Sequence, residues 1–194
     1  MKMDCTRRNF IKRMGWLYGS ILLVPACSEN ATKTRADAAE TSTLRMFTKG
    51  EADCLVALCE QIIPADQDAG ATDAGVINFI DRQTALRFPN DLPIYREGIA
   101  ALQATCQKQY GLPFEQLDAS TQIVTMQHLQ AGRLAGKQWE SASQQSFFSL
   151  VRNRTMQGFY GSPRHGGNKD YVSYRMLKLD YPLVAGQNRY RKEG

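Results

Sequence analysis

Ala52, Leu55, Val56, Cys59, Ile62 and Ile63 recur three and four residues apart, the spacing that lines one face of an α-helix. Thr48 and Glu51 form a capping box ahead of them, and Pro64 stops the pattern. The device repeats along the chain. Thr72 is placed to cap a second helix with Val76, Ile77, Ile80 and Thr84 along one side. Asp91 and Pro93 open a third, with Ile94, Ile99, Leu102 and Cys106 facing inward and Gly111 at its end. After the linker FEQLDASTQ, Asp118 caps a fourth that holds Ile123, Val124 and Leu129 and runs to Gly132. Ser141 or Ser143 starts a fifth with Phe147, Leu150, Val151 and Thr155 as its stripe, ending at Gly158. A last short helix, over about 169–179, carries Tyr171, Tyr174 and Leu177. No segment alternates as a half-buried strand does. The expectation is an all-α protein, a compact irregular bundle of about five to six helices with a long glycine-rich loop near its C-terminus.

The bundle is expected to occupy residues 44–194, because the first 43 have another character. Residues 1–13 are basic, and residues 14–26, MGWLYGSILLVPA, are apolar but too short to span a bilayer as a helix. TRRNFIK, with Arg7, Arg8 and Phe10, resembles the twin-arginine export motif, with Ile11 in place of the usual leucine. LVPAC resembles a bacterial lipoprotein processing site, with Cys27 as the residue to be acylated and Pro25 departing from the usual small residue. Residues 28–43, SENATKTRADAAETST, lack large apolar side chains and read as a flexible tether. The expected location is the periplasmic side of the cell envelope, anchored to a membrane through lipid. The first 27 residues hold five basic side chains and one acidic, which leaves 19 basic and 18 acidic in the rest of the chain. The formal net charge of +5 therefore resides mostly in the leader, and it makes no case for a nucleic-acid partner.

The twin-arginine route carries folded proteins, often with a cofactor already inserted, yet this chain has few groups to hold one. His128 and His165 are its only histidines, and neither lies near a cysteine. It has no haem-attachment motif, no cysteine run for an iron–sulfur cluster and no phosphate or dinucleotide loop. Cys54, Cys59 and Cys106 remain beyond the leader. A bridge from Cys106 to one of the others and three buried free thiols both fit the spacing. Ser162 and His165 sit in a glycine-rich stretch without a nucleophile-elbow pattern. Asp66, Asp68 and Asp73 follow a proline as a polar turn. No residue is assigned to catalysis, to a metal or to a cofactor in this chain.

GFYGSPRHGGN, residues 158–168, gathers four of the fifteen glycines. In an extended segment Phe159 and Tyr160 would point to opposite sides, one inward and one outward. Aromatic and arginine side chains, here Tyr160 and Arg164, are enriched in interface anchors. Phe159, Tyr160, Pro163, Arg164, His165 and Asn168 are thus the candidate partner interface. A purely structural turn, with both aromatics packed inward, fits the same residues.

Two longer stretches carry a resemblance. CEQIIPADQDAGATDAGVINFID, Cys59 to Asp81, and FFSLVRNRTMQGFYGSPRHGGN, Phe147 to Asn168, resemble the two signatures of the gluconate 2-dehydrogenase subunit 3 family. The likeness spans about residues 44–182. It departs at the end, where Tyr171 and LDYPLVAG stand in place of the tryptophan and G-Y-P-G segment common in that family. The resemblance implies a small subunit with no catalysis of its own. Its partner would be a larger FAD-containing dehydrogenase of the glucose–methanol–choline type, acting on a sugar or polyol and passing electrons to a cytochrome c that carries haem. The small subunit would bind, stabilise and escort that partner through folded export. Two other readings stand beside it: an independent periplasmic enzyme using His165, and a sugar-binding lipoprotein.

Overall fold

The computed structural model describes residues 44–179, all of them in the unit Ala39–Gly194. The twin-arginine segment, Cys27, the tether and the LDYPLVAG segment beyond Leu179 lie outside the described residues. Among those described there are six α-helices and no strand: α1 (Lys49–Ile62), α2 (Val76–Leu86), α3 (Asp91–Tyr110), α4 (Ala119–Gln130), α5 (Gln144–Tyr160) and α6 (Val172–Met176). Short 3-10 turns sit at Phe114–Gln116, Lys137–Trp139, Pro163–His165 and Lys169–Tyr171. None of the described helices is long and apolar enough to cross a membrane.

Side-chain caps set three of the six described helix starts. The Thr48 hydroxyl accepts from the Glu51 amide, and the Glu51 carboxylate accepts from the Thr48 amide at 2.8 Å. Asp118 caps α4 by accepting from the Thr121 amide at 3.0 Å. Ser143, not Ser141, caps α5. Gly111 ends α3 in the left-handed conformation, φ 73°, where a side chain would be strained. Thr72 does not cap α2. Its amide and hydroxyl both donate to Glu60, at 3.0 and 2.6 Å, and α2 begins only after Gly75, φ 64°. The carboxylate of Glu60 also takes the Ala65 amide at 2.8 Å, so one side chain closes the whole turn after Pro64.

Helix α5 packs against each of the other five. Its buried face is Phe147, Val151, Thr155, Gly158 and Phe159, with Leu150 only half-buried. Two glycines permit the close crossings. A Cβ at Gly98 of α3 would overlap the Phe147 ring, 2.3 Å from its nearest carbons, and one at Gly158 would come within 3.0 Å of the Phe79 ring of α2. In α3 the inward residue is Tyr95, fully buried, whereas Ile94 is 38% exposed. The rest of the expected face, Ile99, Leu102 and Cys106, is buried as expected, and only its first residue gives way to the neighbouring Tyr95.

Buried amides and carboxylates hold the connections that a helical bundle leaves unpaired. Gln144 pairs with the Leu134 backbone, accepting at 3.0 Å and donating at 2.8 Å. Gln103 and Gln122 clasp the Phe114 backbone from either side at 2.8 and 2.9 Å. Thr105 accepts from both Gln138 and the Trp139 indole, at 2.7 and 2.9 Å. Asp81 accepts the Arg45 amide at 3.0 Å and the Met46 amide at 2.8 Å, fixing the segment before α1 onto α2.

The C-terminal part departs from expectation in two ways. Helix α5 runs on to Tyr160, so the long loop expected from Gly158 is shorter and contains two 3-10 turns. The last helix is confined to Val172–Met176, and Leu177 is half exposed.

The Gly98 crossing gives a direct test. Gly98→Ala would gain helix propensity of about 1 kcal/mol, but it forces a buried aromatic ring to move, which costs about 1–3 kcal/mol. The ring is only 1% exposed and has no space to yield, so steric cost wins. Urea unfolding is expected to show a net loss of stability in G98A, while Gly50→Ala, where a Cβ meets nothing within 4 Å, is expected to gain.

Candidate functional site

The last turn of α5 separates its two aromatics. Consecutive helical residues lie about 100° apart around the axis, and this places Phe159 fully inside while Tyr160 is 36% exposed. The two rings still meet edge to face, centroids 4.8 Å apart, so the buried ring braces the exposed one. The division into one inward and one outward aromatic holds, by helical rather than extended geometry.

Beyond Tyr160 the chain folds back onto its own helix. Gly167 lies so close to the Gly158 carbonyl that a Cβ would overlap it. Asn168, fully buried in the left-handed region (φ 47°), spans the return: its amide donates to the Gly161 carbonyl at 2.8 Å and its oxygen accepts the Ser173 amide at 3.0 Å. The Lys169 amide donates to the Ala74 carbonyl at 3.0 Å. Phe159 and Asn168 therefore shape this surface from beneath and offer it no atoms. Pro163, Arg164 and His165, with Tyr160, form its outer edge.

Against that edge lies an open groove of about 490 Å³ between the C-terminal ends of α2 and α5. Phe79 forms its floor, and Phe88, Met156, Tyr160 and His165 stand around it with Gln83, Arg87 and Gln157. Phe88, Met156 and Tyr160 are 37%, 44% and 36% exposed, large apolar side chains gathered at one place on the surface. Phe88 is held under the Arg154 guanidinium, 3.7 Å from its ring centroid. Arg154 is in turn fixed by Asp91 at 2.8 Å and by Gln157 at 2.8 Å.

His165 accepts a hydrogen bond on Nε2 from Arg164 Nε at 3.0 Å. Partial burial, then the charges of Arg164, Arg87 and Arg82, holds its pKa below the ordinary 6.5. Among the described residues no carboxylate is bonded to this imidazole to orient or charge it as a catalytic base. The three core cysteines are free and buried. Burial pushes the Cys59 thiol up to about 12 and the Cys106 thiol to about 11, so neither is a ready nucleophile. Cys59 instead accepts from the Thr155 hydroxyl at 3.1 Å. No group of three or more metal-binding side chains occurs among the described residues.

Of the side chains around the groove, the sequence pattern marks Tyr160 and His165 but not Phe88 or Met156. Met156 and Tyr160 stand four residues apart, off the buried stripe of α5, a spacing that could have marked a second apolar face. Phe88 carried no such mark, because it follows the end of α2 and its exposure depends on where Arg154 lies.

The imidazole supplies a pH test. A histidine whose folded-state pKa lies below 6.5 supports the folded loop in its neutral form. That contribution is complete above 6.5 and is lost as the pH falls toward the lower folded-state value. Ring-proton NMR of the full chain is expected to give a His165 midpoint below 6.5, moved upward in Arg164→Ala.

Comparison with curated proteins gave no match, and neither did comparison with solved structures. Comparison with protein-family models matched residues 49–180, from the first residue of α1 past the end of α6, to Gluconate 2-dehydrogenase subunit 3. That range contains both signature stretches and every side chain around the groove. The chain belongs to the gluconate 2-dehydrogenase subunit 3 family.

Proposed function

We propose that this chain is a subunit without catalysis of its own that binds, stabilises and escorts a larger dehydrogenase. The partner would carry FAD in a glucose–methanol–choline type fold, oxidise a sugar or polyol and pass electrons to a cytochrome c with covalently held haem. The pair would fold together in the cytoplasm, leave by the twin-arginine route through Arg7 and Arg8, and be held on the periplasmic side of a membrane by lipid on Cys27. Family membership supports a dehydrogenase partner.

One observation carries the docking part of this reading: Phe88, Met156 and Tyr160 are exposed together around a preformed groove on a rigidly braced helix end. Contiguous exposed apolar side chains of this kind mark interaction surfaces more often than scattered ones do. Protein interfaces of standard size bury roughly 1,600 Å² in total, so the groove would be the centre of a wider contact that includes Pro163, Arg164 and His165. Aromatic anchors at such a centre carry a disproportionate share of the binding energy.

Two measurements test the reading. Tyr160→Ala removes the exposed ring and leaves Phe159 and Asn168 in the core, so the chain is expected to stay helical by circular dichroism. Its retention of the dehydrogenase in affinity purification is expected to fall by on the order of tenfold or more; undiminished co-purification would move the interface elsewhere. Arg7→Lys combined with Arg8→Lys is expected to leave both proteins in the cytoplasm. Normal arrival of the dehydrogenase in the envelope of that strain would end the escort role.

A further inference from the structure

Resting on the accessory-subunit reading, we propose that the groove between α2 and α5 receives an acidic segment of the partner, in which one large apolar side chain is flanked by carboxylates. The apolar side chain would lie over Phe79 between Phe88, Met156 and Tyr160. The carboxylates would meet Arg82, Arg87 and Arg164.

The charge arrangement selects this occupant. Arg87 lines the groove, Arg164 lies 3.0 Å from His165 on its edge, and the Arg82 side chain lies beside Gly166, the next residue; none of the three makes an ion pair among the described residues. Arg154, by contrast, is already neutralised by Asp91 and serves as a wall behind Phe88. No carboxylate lines the groove. An apolar floor with a cationic rim is complementary to an apolar anchor with anionic flanks, and like charge in a partner would be rejected. The chain's own last fifteen residues bring Arg189, Arg191 and Lys192 against Asp180 and Glu193, so they supply the wrong sign. A small molecule is disfavoured by shape, since such ligands lose most of their surface to an enclosing pocket, whereas this groove is open along its length. A flat anionic lipid surface could meet the arginines but could not reach Phe79, which is only 7% exposed at the floor.

The test is a random peptide library displayed on phage and panned against the full chain, with phosphatidylglycerol vesicles as a second probe. Enriched peptides are expected to share an aromatic residue or leucine flanked by Asp or Glu. Arg87→Glu and Arg164→Glu are both exposed changes expected to leave the fold intact. Each should weaken binding of the winning peptide by on the order of tenfold, and Arg87→Gln should weaken it less. Raised salt should weaken it further, and hydrogen exchange should slow at 83–88 and 156–165. Basic or charge-neutral winners, no winners, unchanged binding in both reversals, or vesicle binding lost in those reversals would each overturn the proposal. Co-purification separates it from the reading beneath it. If the native chain holds a dehydrogenase that the reversals do not release, the charge-selective groove is wrong and the accessory role stands. If the native chain holds none, the accessory role itself fails.

Discussion

The contact of α5 with every other described helix is the constraint on which the rest of this structure rests. It requires one helix to present a continuous buried face over its full length, and Phe147, Val151, Thr155, Gly158 and Phe159 provide it. At Gly98 and at Gly158 a missing side chain lets a neighbouring helix come close. The same helix then sets the candidate surface. Because α5 stays regular through Tyr160, its final turn must drive one aromatic into the core and the next toward solvent. The groove is thus a by-product of packing: the core is filled by Phe79 and Phe159, and the rings just beyond them have nowhere to go but out.

A helical bundle of this kind also has long irregular connections, and it holds them with polar side chains. Glu60, Asp81, Gln144 and Asn168 each bind two or more main-chain groups. Asp81, Gln144 and Asn168 are buried, would be costly to bury alone and are satisfied where they stand. Three of these residues, Glu60, Asp81 and Asn168, fall within the two stretches that resemble the family signatures. Their position in the fold gives those stretches a structural meaning. The residues that look most like a motif tie the backbone together, while the exposed side chains between them form the surface.

How much of this was legible depends on how local each interaction is. The caps at Thr48 and Asp118 and the left-handed stop at Gly111 lie within three or four residues of their partners, and the sequence displayed them directly. The helical class followed from spacing. In α3 spacing marked Ile99, Leu102 and Cys106 for the core but not Tyr95, which is buried where Ile94 is exposed. Thr72 is drawn off its expected cap by Glu60, twelve residues away. The aromatic pair at Phe159 and Tyr160 showed its division into buried and exposed, yet the groove walls at Phe88 and Met156 depended on where Arg154 and α2 end in space.

Asp81 attaches the incoming chain through the amides of Arg45 and Met46, not through their side chains. Every amino acid except proline offers the same amide. A change of side chain at either position leaves the clasp the same pair of donors, although at Met46 it would also alter packing against the core. The clasp itself is indifferent to spelling, and a proline at either position or the loss of the carboxylate would undo it.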